Sequence, residues 1–384
     1  ALIANLAFSR AMSINVSSLL LFFPCIQPNP LDKMIYTIFP KQGHQQMHEQ
    51  TNLVQIKNRW QTELIESVTS VEELIMRLNL SPKLLSQGQK AALKFQVRVP
   101  PSYIKRIRLG DPKDPLLLQV LPVREELKKN KNYLKDPLNE LNHNPKSCVI
   151  HKYQNRVLLI VGSFCAINCR YCFRRHFPYS QQHQNREKWF SALDYITNRP
   201  EINEVIFSGG DPLAAKDSFL SWLTGRIAKI PHVKRLRIHT RLPVVIPSRI
   251  DDELLLWMQS TRLKPIIVLH INHPNEIDNS VKMSLRQLRK IGICLLNQSV
   301  LLKNVNDRSD VLISLSEHLY NCEVTPYYLH ILDPVEGATH FHVDKARIKT
   351  VYSEMQTALP GFLLPRLVKE IPGELSKTIV SLND

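Results

Sequence analysis

From Arg156 onward the chain alternates short apolar runs with amphipathic stretches, and this rhythm restricts the fold more than any other feature. The apolar runs cover residues 157–161, 205–208, 235–239, 266–270, 294–300 and 325–329. Between them, residues 186–197, 217–229, 251–260, 276–290 and 308–320 carry helical periodicity, and a last helix is expected over 344–359. Consecutive β–α units imply an α/β fold with a parallel sheet, open or barrelled. Chemistry in such a fold belongs at the C-terminal ends of the strands. The unusual residues fall there. Cys165, Cys169 and Cys172 follow the first strand, and Gly209-Gly210-Asp211 follows the second. His239 ends the third, His270-Ile271-Asn272-His273 ends the fourth, Gln298 lies in the fifth and Asp333 follows the sixth.

Four segments are expected. Residues 1–46 contain an apolar run at 16–23, ended by Pro24 and too short to span a bilayer. They are read as a dispensable extension upstream of a start at Met47. Residues 47–150 form a helical region and a connector. Ser70-Val71-Glu72-Glu73 is a capping box, with Val71, Leu74, Ile75 and Leu78 as an apolar stripe behind it. Ser102 is expected to cap another short helix, and residues 110–150, rich in Asp, Pro, Asn and Lys, form an extended connector. Residues 151–345 carry the β–α body, and residues 346–384 a closing helix and tail. The net charge of +16 suits an acidic partner or anionic ligands. No Lys/Arg block is interleaved with aromatics, so direct nucleic-acid binding is not expected, nor is a membrane span.

Cys165, Cys169 and Cys172 have C-x3-C-x2-C spacing. Three close thiolates can hold three irons of a 4Fe–4S cluster and leave the fourth iron open to a small molecule. A structural zinc completed by His176 is the alternative. Cys25, Cys148, Cys294 and Cys322 fit no ligand spacing, and an odd total of seven cysteines argues against a disulfide framework. Gly209 and Gly210, directly after a strand, would let backbone groups approach a ligand without Cβ obstruction. Lys377 lies in the turn Pro372-Gly373-Glu374-Leu375-Ser376-Lys377-Thr378. A lysine there can form a Schiff base with a carbonyl cofactor such as pyridoxal phosphate (PLP), or be an ordinary solvated side chain.

The triplet, with aromatic Tyr171 just before its third Cys, resembles the radical S-adenosylmethionine (SAM) superfamily. Taken with residues 151–156, Arg174-Arg175, 208–213, 297–302 and 372–378, the chain resembles the lysine 2,3-aminomutase family. The likeness is greatest to its short bacterial branch, whose β-lysine modifies elongation factor P. The resemblance implies a partial (β/α)6 radical SAM barrel with an N-terminal helical layer and a C-terminal tail carrying the PLP lysine. It implies an isomerase converting L-lysine to β-lysine, with the R product, and leaves a relative acting on another amino acid such as glutamate as the alternative. Cys165, Cys169 and Cys172 would hold the cluster, and Gly209, Gly210, Asp211 and Gln298 would contact SAM. Lys377 would carry PLP, with Tyr153 and Arg156 around its phosphate. Lys152 stands where the clostridial relative has Arg. Arg174 would pair with the substrate carboxylate, and Asp333 and Glu370 with its ε-ammonium. Glu370 stands where that relative has Asp. His270, His273 and Gln298 would contact SAM or make ordinary core hydrogen bonds. The implied partners are L-lysine, an electron donor of flavodoxin or ferredoxin type, and functionally elongation factor P and its lysyl ligase. The implied compartment is the cytoplasm, since secretion would oxidise the cluster.

Overall fold

The computed structural model describes residues 59–179 and 185–382. Residues 1–46, Met47 and Cys25 lie outside the described residues. The chain divides into two units, Ala1–Leu53 and Val54–Asp384, and the described residues all belong to the second.

Among the described residues nine strands form one sheet in chain order. They are β1 (Val149–Tyr153), β2 (Arg156–Gly162), β3 (Glu204–Gly209), β4 (Arg235–Thr240), β5 (Lys264–Leu269), β6 (Cys294–Leu301), β7 (Thr325–Ile331), β8 (Arg366–Lys369) and β9 (Thr378–Ile379). Strands β2 to β8 pair in parallel, while β1 joins β2 and β9 joins β8 antiparallel. Each parallel strand lies beside the next in sequence, which is the progression of a barrel. Among the described residues no pairing joins β1 to β9, so the barrel stays open.

Helices alternate with the strands as the periodicity requires. An N-terminal set comprises α1 (Arg59–Ile65), α2 (Val71–Arg77), α3 (Lys83–Lys94), α4 (Pro101–Ile104) and α5 (Pro115–Leu118). The crossovers are α6 (Arg186–Thr197), α7 (Asp217–Ala228), α8 (Leu242–Val245), α9 (Asp252–Gln259), α10 (Asn279–Lys290), α11 (Ser309–Asn321) and α12 (Lys345–Ala358). Short polar side chains start several of them. The Ser70 hydroxyl accepts from Glu73 N (3.1 Å), as the capping-box sequence predicts, and Asp278 and Asp344 cap α10 and α12 in the same way. Helix α12 then carries the chain to a further parallel strand, β8, which the sequence rhythm does not announce.

Alternation along β4 shows how the strands build a site. Leu236 and Ile238 point into the core, while Arg235, Arg237 and His239 line a cavity on the other face. One contiguous apolar core runs from Trp60 in α1 to Leu367 in β8, so the N-terminal helices are a layer on the barrel's own core. The buried Arg249 guanidinium secures that layer, lying 4.6 Å over the Trp60 ring and pairing with Asp217 at 2.8 Å. Among the described residues no helix is long and apolar enough to cross a membrane.

Candidate active site

The strands enclose a cavity of about 700 Å³. Most of the site residues singled out from sequence line it: Tyr153, Arg156, Cys165, Cys169, Cys172, Arg174, Gly209, Gly210, Asp211, Gln298, Asp333, Glu370 and Lys377. His270 lines it as well. His273 does not; its Nδ1 accepts from Asn275 N (3.1 Å) and starts a turn.

The cysteine loop follows β2 and is clamped by the N-terminal layer. Asn168 N donates to Arg98 O (3.0 Å), and Arg170 N donates to Gln119 O (2.9 Å). The Arg170 guanidinium grips Glu126 through both arms at 2.9 and 2.6 Å, and Arg175 shares that carboxylate at 2.6 Å. Burial pushes the Cys172 thiol up to about 11 and the Cys165 thiol well above its ordinary value, so binding iron here must displace protons. His176, the fourth ligand that a structural zinc would need, has its Nε2 instead facing the Glu336 carbonyl at 3.0 Å. All three thiols line the cavity, as thiolates holding one iron each of a multi-iron cluster would.

The turn after β3 packs directly on this loop. Gly210 N donates to Gly162 O (2.8 Å), and Asp211 N donates to Phe164 O (2.9 Å). A Cβ on Gly210 would meet Phe164 O at 2.3 Å, and one on Gly209, at φ +120°, would meet Gly162 O at 2.3 Å. The glycines therefore serve the approach of two protein backbones. The Asp211 carboxylate is satisfied internally, accepting from Leu213 N (3.0 Å), Thr240 Oγ1 (2.7 Å), Arg241 N (2.7 Å) and Leu242 N (3.0 Å). Gly210→Ala is expected to destabilise the fold by about 1–3 kcal/mol, the usual cost of overpacking. It should also reduce iron uptake on reconstitution. Calorimetry and iron assay check this; an unchanged Tm with full iron would show that the turn relaxes freely.

The other end of the cavity is built by the β8–β9 hairpin. Lys369 pairs with Thr378, which sets Lys377 against Glu370. Lys377 Nζ donates to Glu370 Oε2 (2.6 Å), Lys152 Nζ donates to Oε1 (2.6 Å), and the Tyr153 hydroxyl donates to Oε1 (3.2 Å). Burial alone would raise the Glu370 carboxyl. The two ammonium groups outweigh burial and hold it well below the usual carboxylate range. Asp333 behaves oppositely: burial, then the Glu370 charge, push it up to about 7. The Arg156 guanidinium lies 4.2 Å over the Tyr153 ring.

Arg174 presents a fixed guanidinium. Its Nε and Nη2 each reach Glu140 at 2.7 Å, and Nη1 donates to Ser208 Oγ (2.8 Å). Sequence reasoning missed Glu140. It sits in a one-turn helix, Glu140–His143, whose start is held by Asp136 accepting from Glu140 N (3.0 Å). The connector around it has no periodicity that could have flagged it. Burial keeps His239, His270 and His330 neutral, with His270 lowered to about 3. His270 Nε2 lies 3.2 Å from Gln298 Nε2. The Nε2 atoms of His239 and His330 are buried without a protein partner and border the cavity. Orphaned polar atoms of this kind mark where a polar ligand completes the site. Three thiols, a lysine held by a carboxylate and imidazoles with orphaned nitrogens, all lining one cavity, fit a cluster, SAM and PLP together.

A family model described as the radical SAM superfamily matches residues 159–312. The L-lysine 2,3-aminomutase of Buchnera aphidicola subsp. Baizongia pistaciae is 48% identical over 329 residues, covering 85% of this chain and 96% of that one. The L-lysine 2,3-aminomutase of Escherichia coli is 47% identical over 325 residues, covering 84% and 94%. That of Clostridium subterminale is 33% identical over 328 residues, covering 85% and 78%. On these likenesses, and with the site they meet in the structure, the chain belongs to the L-lysine 2,3-aminomutase family.

Proposed function

We propose that this chain is an isomerase that moves the α-amino group of L-lysine to C3, giving β-lysine. Its cofactors are a 4Fe–4S cluster, SAM and PLP. When bound, the reduced cluster with SAM supplies a carbon radical that takes and later returns the C3 hydrogen, and PLP carries the migrating nitrogen and spreads the spin. The protein's own residues hold, orient and shield. Cys165, Cys169 and Cys172 hold the cluster. The Gly209–Gly210 turn, shaped by the Asp211 carboxylate, and Gln298 with His270 border the SAM end. Lys377 anchors PLP covalently, with Tyr153 and Arg156 at its phosphate and Lys152 adding positive charge. Arg174, its plane set by Glu140, takes the substrate carboxylate.

The observation that carries lysine as substrate is the acid pair Asp333 and Glu370, set in one cavity with Lys377. Glu370 already holds the ammonium group of Lys377 at 2.6 Å. Glu370 is thus already placed to hold an ammonium group in this cavity, the chemistry that the substrate's ε-ammonium would present. Asp333 stands beside it as the second acid. A negatively charged substrate side chain would meet both carboxylates and be repelled. Enclosure keeps water from the reacting carbon.

The resemblance to the short bacterial branch supports an R product that serves, through a lysyl ligase, to modify elongation factor P. An iron–sulfur centre that must be reduced favours the cytoplasm and a donor of flavodoxin or ferredoxin type. The test is anaerobic. The reconstituted chain is given PLP, SAM, dithionite and L-lysine, and the products are separated on a chiral column. β-Lysine formed only with all components supports the reading, and its hand tests the branch. Cleavage of SAM without β-lysine removes lysine as the substrate, and glutamate is then the next amino acid to supply.

A further inference from the structure

Arg241 directly follows β4 and no sequence motif marks it, yet it is only 7% exposed beside the cysteine triplet. Its Nη1 is aimed at Cys169 Sγ, and it also donates to the Tyr171 hydroxyl (2.9 Å). Its Nη2 donates to Glu276 Oε2 (2.7 Å) and Gln119 Oε1 (2.7 Å). Glu276 is itself fully buried, and its other oxygen accepts from Asn272 N (2.9 Å) and His273 N (3.1 Å). The Arg241 backbone N is fixed on Asp211 at 2.7 Å. Both ends of the side chain are therefore clamped, and the guanidinium has no room to swing.

A buried guanidinium needs a carboxylate, and Glu276 supplies one. That need does not explain why the opposite arm is aimed at a cluster sulfur. An N–H···S bond in a site of low dielectric withdraws electron density from the thiolate and favours the reduced, more negative cluster. Hydrogen bonds to the sulfurs and local net charge are among the factors that set an iron–sulfur potential.

We propose that Arg241 is a positioning residue for the iron–sulfur centre. Its hydrogen bond to Cys169 raises the cluster's midpoint potential, and Glu276 holds the guanidinium in place and moderates its charge. This rests on the triplet holding a 4Fe–4S cluster.

The experiment compares the wild-type chain with Arg241→Gln and Glu276→Gln after anaerobic reconstitution. Iron and sulfide are assayed, folding is followed by circular dichroism, and each loaded cluster is titrated against potential by electron paramagnetic resonance. Arg241→Gln should lower the midpoint, so that at the wild-type midpoint the reduced-to-oxidised ratio falls several-fold. Glu276→Gln removes a negative charge and should move the midpoint the other way. A merely structural role would reduce loading in both variants while the loaded fraction titrates as wild type, and that result overturns the proposal. If Arg241→Gln does not fold, Arg241→Lys takes its place, since it keeps a cation but loses the fork. Unchanged midpoints in Arg241→Lys and Glu276→Gln then overturn it. A wild-type chain that takes up no cluster would instead overturn the site assignment beneath it.

Discussion

Replacing Lys377 with Ala is expected to cut β-lysine formation on the order of 10³-fold or more, the scale seen when a covalent catalytic group is removed. The expectation comes from where the hairpin puts the amine. Lys377 projects into the cavity immediately before β9, across from Glu370 and beneath the Tyr328 ring, whose centroid lies 6.0 Å from its Nζ. Loss of the ammonium also leaves Glu370 with Lys152 as its remaining cation, so a structural effect must be separated from a chemical one. Lys377→Arg does this. It keeps a positive charge beside Glu370 but cannot form a carbonyl linkage. Both variants should lose the pyridoxyl label that borohydride fixes on the wild-type chain with PLP, and Lys377→Arg should keep the wild-type Tm. A label that persists in either variant, mapped by peptide mass spectrometry to another lysine, would remove Lys377 from the role.

The triplet stands out by its spacing alone, whereas Lys377 and the double glycine were singled out through the resemblance, since a turn lysine is otherwise an ordinary solvated side chain. The strand ends were legible because burial on one face imposes period-2 alternation, as in β4. What escaped is long-range. Glu140 reaches Arg174 across 34 positions, and Glu276 reaches Arg241 across 35, from segments whose own patterns say nothing about a partner. Strands β8 and β9, of 4 and 2 residues, are too short to show a period, yet their pairing sets the distance between Lys377 and Glu370. Residue type showed only part of what the turn after β3 does. Gly209 and Gly210 line the cavity, and they also let the backbone of Gly162 and Phe164 approach. Asp211 lines it too, while its carboxylate accepts from Leu213, Thr240, Arg241 and Leu242 and so shapes the turn.

Asp333 gives the second large effect, and it carries a pH signature. Asp333→Asn is expected to lower kcat/KM for L-lysine by about 10²–10⁴-fold, since removing one partner of a buried ion pair costs about 3–5 kcal/mol. In the substrate-free chain the Asp333 carboxyl is pushed up to about 7, first by burial and then by Glu370. Its ordinary value is 3.8, so between there and about 7 the folded chain holds a proton that the unfolded chain has released. The group's contribution to stability therefore falls as pH rises through that window. Substrate binding has the opposite sign. The ε-ammonium prefers the anion, so below pH 7 binding must expel the Asp333 proton, and KM for lysine should rise by about tenfold per pH unit. Above pH 7 the carboxylate is formed and the slope vanishes. Asp333→Asn has no proton to expel, so its KM should be high and flat across the same range. Steady-state kinetics from pH 5.5 to 8.5, about three units chosen to bracket the titration, read both features. A wild-type slope retained in Asp333→Asn would assign the titration to another group. A variant as active as wild type would take Asp333 away from the ammonium altogether.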